Sequence, residues 1–119
     1  MIKMFYFLNC RSGMSPSGFH RYWREQHGPL FCNTELARRY VLRYEQNHTA
    51  PEDADIGGEG FDGVSVMWFR STEDIHAMRA HPEFLDVVVA DGDKFLESTA
   101  TRVLMTLDEE PFGIAADEL

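Results

Sequence analysis

The chain lacks most of the devices by which a sequence declares its chemistry. It has only two cysteines, Cys10 and Cys32, at a separation that gives neither a metal-ligand spacing nor a disulfide framework. They are expected as reduced thiols acting as small apolar residues in a cytoplasmic protein. Basic residues are scarce: 11 Lys and Arg face 20 Asp and Glu, a formal charge of −9. That balance excludes binding to a phosphate backbone, which needs clustered cations, and suits solubility instead. No apolar run reaches the length of a membrane span, and Lys3 opens no signal-peptide pattern. There is no Gly-x-Ser-x-Gly elbow, no Gly-rich phosphate loop and no nucleotide fingerprint, and neither cysteine adjoins a histidine. Nucleophilic, phosphoryl-transfer and hydride-transfer chemistry are thereby set aside. Asp53, Asp55 and Glu59 lack the repeated spacing and closing Glu of a calcium loop, so no metal site is expected.

What the chain does have is aromatic residues. Nine Phe, four Tyr and two Trp in 119 residues exceed what one modest core requires, and point to an apolar cavity, a partner interface or both. Residues 2–9 read as a strand whose faces, Ile2-Met4-Tyr6-Leu8 and Lys3-Phe5-Phe7-Asn9, are both largely apolar. Both therefore need cover. Helices of the same chain can cover one face. The other needs a second sheet, which a chain this short cannot supply, so a homodimer through the sheet is expected.

Ser15-Pro16 has the N-cap and first-turn proline of a helix start. The helix is expected to run to about Gln26 and to be interrupted at Gly28-Pro29, with a second helical piece over 30–39. Residues 40–48 alternate as a strand, and 63–69 form the next. Between them, residues 49–61 are rich in Gly and acidic residues, and read either as a solvated loop or as a lid. Ser71-Thr72-Glu73-Asp74 caps a helix that His81-Pro82 breaks, a further helix spans 82–96, and 101–107 is the last strand. The order βαββαβ predicts an α+β, ferredoxin-like fold with a four-stranded antiparallel sheet. One domain is expected over residues 1–108, with an acidic tail over 109–119.

At about 100° per residue, Phe19, Trp23, Gln26 and Leu30 form the core stripe of the first helix, with His27 at its border. An imidazole there either caps the last helical carbonyls or exchanges protons near pH 7. Tyr40, Tyr44 and His48 fall at even positions of the second strand and would share a face. They are either strand packing or a polar row able to orient an oxygenated ring. His20 reads as a surface or interface residue.

The stretch Tyr22-Trp23-Arg24-Glu25-Gln26-His27-Gly28-Pro29-Leu30 closely resembles the Y-W-R-x-x-H-G-P-L signature of the EthD family. Supporting similarity lies in the opening KMFYFL strand with Gly13-Met14-Ser15, in Tyr44-Glu45-Gln46-Asn47-His48, in Phe61-Asp62-Gly63 and in Asp91 to Phe95. The resemblance spans about residues 2–108. It implies a dimeric α+β barrel with a pocket between sheet and helices, and proton-transfer chemistry on small oxygenated rings without a cofactor. It also implies catalytic roles for His27, Tyr44 and His48, with Tyr40 a further candidate for the strand Tyr. Tyr40, Trp23, Trp68, Tyr6 and Met67 are the residues expected around the substrate. Related isomerases use a third-strand Cys, where this chain has Met67 and Trp68, so lactone isomerisation is disfavoured. The expected function is a lyase or isomerase of the dehydratase or cyclase type. The alternatives are a binding protein for an apolar metabolite or haem, and a cofactor-free monooxygenase.

Overall fold

The computed structural model describes residues 1–49 and 60–114. The candidate lid at 49–61, with Asp53, Asp55 and Glu59, falls almost wholly outside the described residues, as does the end of the acidic tail. Strands β1 (Ile2–Leu8), β2 (Arg43–His48), β3 (Gly63–Phe69) and β4 (Arg102–Thr106) form one antiparallel sheet in the order β2-β3-β1-β4. Helices α1 (Pro16–Tyr22), α2 (Gly28–Cys32) and α3 (Glu35–Tyr40) lie between β1 and β2. Helix α4 (Thr72–Ala80), a π-helical segment (Phe84–Val89) and α5 (Ala90–Gly92) lie between β3 and β4. This is the ferredoxin-like α+β arrangement that the element order predicts. Among the described residues no helix is long and apolar enough to cross a membrane.

The first helical run departs from expectation in an instructive way. It starts as predicted, with the Ser15 hydroxyl accepting from the Gly18 N–H at 3.0 Å and Pro16 in the first turn. It does not end at Gly28-Pro29. It passes through a π-helical turn (Trp23–His27) straight into α2, the Gly28 N–H donating to the Trp23 carbonyl five residues back. In a regular helix the Pro29 ring would crowd the Glu25 carbonyl. The wider turn relieves that clash, and Pro29 enters the first turn of α2, where its missing N–H costs nothing. The extra residue also rotates everything that follows. Phe19 and Trp23 are buried as predicted, but Gln26 and Leu30 are exposed, and Gly28 and Phe31 are buried in their place.

The next boundary moves as well. Helix α2 stops at Cys32, and the Thr34 hydroxyl starts α3 by accepting from the Ala37 N–H at 3.2 Å. Burial of Leu36 and Ala37 holds α3 to the core. Tyr40 is therefore the last residue of α3 and not part of β2, and it packs against the core with the Arg39 guanidinium 5.4 Å from its ring.

The core forms between the sheet and the helices. Met4, Phe69, Phe31, Leu36, Ile75 and Met78 make one cluster, and Leu8, Phe19, Trp23 and Phe95 another, with Tyr6 touching both. The opposite face of the sheet carries Lys3, Phe5, Phe7, Val64, Trp68 and Leu104, and edge strand β4 leaves Val103, Leu104 and Met105 about half exposed.

Phe61-Asp62-Gly63 earns its composition by locking this arrangement. The Asp62 carboxylate accepts from the Cys10 N–H at 2.7 Å, and the Asp62 N–H donates to the Leu8 carbonyl at 2.7 Å. Gly63 is buried where a Cβ would come within 2.5 Å of the Trp23 ring. Gly63→Ala should therefore displace a fully buried indole and cost about 1–3 kcal/mol, read as a lower denaturation midpoint with an unchanged slope. Full stability in this variant would show that Trp23 is free to repack.

Candidate active site

A cavity of about 230 Å³ lies between the sheet and the helices. Its floor is Tyr6, Tyr44, Ser65 and Met67 from β1, β2 and β3. Trp23, His27 and Phe31 close one side, and the second helical layer closes the other with Phe84, Val88 and Phe95. An apolar cavity of roughly 150 Å³ takes a benzene ring, so this one has room for a single ring with substituents.

The polar centre of the cavity wall is His27. The π turn that rotates position 27 inward also points its ring at α5, where Asp91 Oδ2 lies 2.7 Å from His27 Nδ1. The same carboxylate accepts the Tyr22 hydroxyl on Oδ1 at 2.6 Å, and Phe95 packs against the imidazole at 4.9 Å. Asp91 is a buried charge, made tenable by these two donors and by Lys94 Nζ at 3.7 Å. Since a carboxylate only accepts, Nδ1 carries the proton and Nε2 keeps its lone pair.

Electrostatics set the resting protonation. Burial pushes the His27 pKa below its ordinary value, and the pull of Asp91 in the other direction does not overcome it. Burial opposes the Asp91 charge too, but there the hydrogen bonds from Tyr22 and His27 prevail and hold the pKa low. Burial, reinforced by Asp91, pushes the Tyr22 phenol up to about 12. At neutral pH the site is thus a neutral imidazole held by a carboxylate, with a free basic nitrogen.

A second polar row lies on β2. Tyr44 lines the cavity, and burial raises its pKa to about 12. Gln46 Nε2 donates to the Trp23 carbonyl at 2.8 Å and to the Tyr44 hydroxyl at 3.0 Å, while Gln46 Oε1 faces His48 Nε2 at 2.9 Å. His48 in turn meets His20, Nδ1 to Nδ1, at 2.6 Å. Burial, with Arg24 and His20 nearby, lowers the His48 pKa to about 4.

The sequence-predicted residues divide accordingly. His27, Tyr44, Trp23, Tyr6 and Met67 meet around one cavity. His48 shares the Tyr44 face of β2 but packs on the Trp23 ring at 4.4 Å and does not line the cavity. Trp68 lies on the opposite face of the sheet, between Lys3 at 5.4 Å and Arg43 at 5.1 Å, because alternation turns it away from Met67. Tyr40, on α3, does not line it either. The residues that sequence reasoning passed over are Asp91 and Tyr22, which hold His27, and Gln46 and His20, which hold the β2 row. Gln46 was findable from its parity with Tyr44 and His48. Asp91 stood out as an acidic residue in an apolar helical run and in the Asp91 to Phe95 similarity, but neither signal paired it with His27. Among the described residues, no three His, Cys, Asp or Glu side chains group as a metal site.

A ferredoxin-like domain with an aromatic cavity between sheet and helices, and a buried His–Asp pair in its wall, is the class of protein this geometry defines. The EthD domain model matches residues 11–99, and the chain belongs to the EthD family. A curated relative, the conidial pigment biosynthesis dehydratase EthD of Metarhizium robertsii, is 26% identical over 113 residues, covering 84% of this chain and 77% of the relative. An EthD family protein from Bacillus halodurans superposes with a TM-score of 0.66 at 14% identity, covering 92% of this chain and 99% of that one. A dimeric ferredoxin-like protein of unknown function from Bacteroides fragilis gives 0.62 at 12% identity, covering 88% and 93%. SnoaB, a cofactor-independent oxygenase from Streptomyces nogalater, gives 0.60 at 11% identity, covering 92% and 94%. At these identities the structural likenesses establish the shared fold.

The pKa directions predict a stability plateau with an edge on each side. His20, His27 and His48 titrate lower in the fold than in the unfolded chain. The unfolded state therefore binds protons first, and stability falls as pH drops from the ordinary 6.5 towards 4. Tyr22 and Tyr44 titrate higher in the fold, so stability falls again as pH rises from 10 to about 12. Cys10, raised by burial and by Asp62, starts the alkaline decline earlier, so thermal melts across pH should be flat from about 7 to 8.5 and decline on both sides. A midpoint that held constant between pH 6.5 and 4 would contradict the burial of neutral imidazoles.

Proposed function

We propose that this protein is a cofactor-independent enzyme of the dehydratase or isomerase type, moving a proton on a small oxygenated ring. The observation that carries this reading is the His27–Asp91 pair opening on an apolar cavity of about 230 Å³. Neutral His27 removes a proton from a carbon beside the substrate carbonyl through Nε2. Asp91 keeps the imidazole in the required tautomer and stabilises the imidazolium that forms. The phenol of Tyr44 donates to the carbonyl oxygen as enolate charge develops there. In a dehydration the imidazolium then returns its proton to the departing hydroxyl, which leaves as water. His27 alone takes up and returns the proton, with Asp91 ionised throughout, and the dehydratase name of the Metarhizium relative supports this class of reaction over others.

The test is turnover of hydroxylated cyclic ketones, followed by loss of water. His27→Ala should lower kcat by about 10²–10⁴, and Asp91→Asn should lower it less while shifting the acid limb of the pH–rate profile. Full turnover by His27→Ala would sink the assignment.

The working form on this reading is a homodimer in the cytoplasm, where Cys10 and Cys32, both free, remain reduced. The sheet face bearing Phe5, Phe7 and Trp68, with exposed Leu104 beside it, provides the contact, and a structural neighbour described as dimeric supports it. Leu104→Asp places a charge in that contact without disturbing the core. Sedimentation should show native dimer and variant monomer, and a monomeric native protein would refute the assembly.

A further inference from the structure

Tyr44 is a hydroxyl with two possible uses: it can donate a proton to a ligand or accept one from it. The row on β2 removes the choice. The Trp23 carbonyl only accepts, so the end of the Gln46 amide that meets it at 2.8 Å is the NH2 group. Its second N–H is directed at the Tyr44 oxygen at 3.0 Å. Both amide protons are thereby used, and the phenolic oxygen is occupied as an acceptor. Tyr44 can satisfy its own proton only by turning it toward the cavity it lines.

The amide is held from behind as well. With the NH2 group engaged, Gln46 Oε1 is the atom 2.9 Å from His48 Nε2, which must therefore carry a proton. His48 Nδ1 is then the acceptor in the 2.6 Å contact with His20 Nδ1, and His20 Nε2 takes the Thr49 hydroxyl at 3.3 Å. Each link dictates the next, from the protein surface to the cavity. Two backbone features make room for the chain. The π turn leaves the Trp23 carbonyl shared between the Gly28 N–H and Gln46, and Gly28 has no side chain where a Cβ would lie 2.7 Å from Gln46 Nε2. At the other polar point of the cavity, His27 offers a lone pair and no proton, because Nδ1–H is committed to Asp91.

We propose that Gln46, braced by His48 and His20, is a positioning residue that makes Tyr44 an obligatory hydrogen-bond donor, so that the cavity selects ligands with an acceptor oxygen, a ring ketone or lactone carbonyl, over the matching alcohol. This deepens the proton-transfer reading and rests on it for the identity of the site, but the polarity of Tyr44 can be measured without turnover. The rule follows from the proton that an alcohol still carries: once its oxygen has accepted from Tyr44 its own O–H needs an acceptor placed to suit, for which His27 Nε2 is the one polar atom offered, whereas a carbonyl accepts and leaves no donor to satisfy.

The probe is a matched pair, 1-tetralone and 1-tetralol, titrated calorimetrically against the native protein and variants whose melting curves confirm folding. The native protein should bind the ketone about tenfold more tightly or better, in line with one buried hydrogen bond. Gln46→Leu frees the phenol to rotate and should bring the two affinities within about threefold of each other. Gly28→Ala, which displaces the Gln46 amide, should do the same. Gln46→Glu is the decisive variant. Its carboxyl keeps one proton for the Trp23 carbonyl while the same oxygen accepts the Tyr44 proton, which leaves a phenolic lone pair facing the cavity and should reverse the order so that the alcohol binds better. Equal native affinities, no binding of the ketone at millimolar concentration, or an unreversed preference in Gln46→Glu would overturn the proposal. His27→Ala should retain the ketone preference. Loss of turnover in His27→Ala with no ketone preference anywhere would sink this inference alone. A ketone preference with full turnover in His27→Ala would sink the catalytic reading alone.

Discussion

The Trp23 carbonyl accepts from the Gly28 N–H, five residues on, where a regular helix would have used the N–H of His27. That displacement of one residue relieves Pro29, and it sets the phase of all the helix that comes after. A helix of uniform pitch through residue 30 would put Gln26 and Leu30 against the sheet and leave His27 at the margin. With the widened turn, His27 meets Asp91, and Phe31 joins the core cluster of Met4 and Phe69. The same carbonyl is then shared with Gln46, which links the first helical run to edge strand β2. The placing of His27, the Gln46 bridge to β2 and the cavity wall all trace back to one irregular turn. Such turns are intrinsically poorer than α-helix, which is why they survive mainly where a site needs them.

The buried polar groups show the same interdependence. Asp91 is charged in an apolar setting, and it is tolerable only because Tyr22 and His27 donate to it from helical segments packed over the same cavity. Hydrogen bonds to a charged group contribute about 1.5–3 kcal/mol each, whereas a buried charge stripped of a partner costs several kcal/mol. The pair therefore restricts how α5 can sit against the first helical run, and a functional group doubles as a constraint on packing. On the β2 side the polar atoms are neutral and chained in series, so their effect is directional more than energetic: they settle which atom of each group faces its neighbour.

The two faces of the sheet divide the aromatic residues that the composition made conspicuous. Tyr6, Tyr44 and Met67 turn to the cavity, and Phe5, Phe7 and Trp68 turn away from it. The Lys3 and Arg43 cations flank Trp68, and a charged rim around an apolar patch is the arrangement expected of a surface that meets a partner. One strand, β1, thus contributes by alternation alone to both the cavity and the apolar face opposite it.

Much of this was legible in the residues. Period-two alternation gave the bounds of β3 and the first residue of β1, and hydroxyl caps gave the starts of α1 and α4, because these are local preferences written in a few adjacent side chains. The signature drew attention to His27, and Tyr44, Trp23, Tyr6 and Met67 meet it around one cavity. Tyr40 and Trp68 do not line it: the first because the Thr34 cap restarts a helix that propensity alone lets run into the strand, the second because one strand has two faces and only packing says which holds the cavity. His48 was on the expected face but behind Trp23, a matter of depth that periodicity does not encode. The Asp91 partnership, 64 residues from His27, and the π turn that makes it possible were beyond reach. The sequence by itself determined the order of strands and helices and the fold, and singled out His27. Tertiary structure alone decided the phase of the first helix and the partners of His27 and Tyr44, since each depends on contacts between segments distant in the chain, where no local pattern records which atom will meet which.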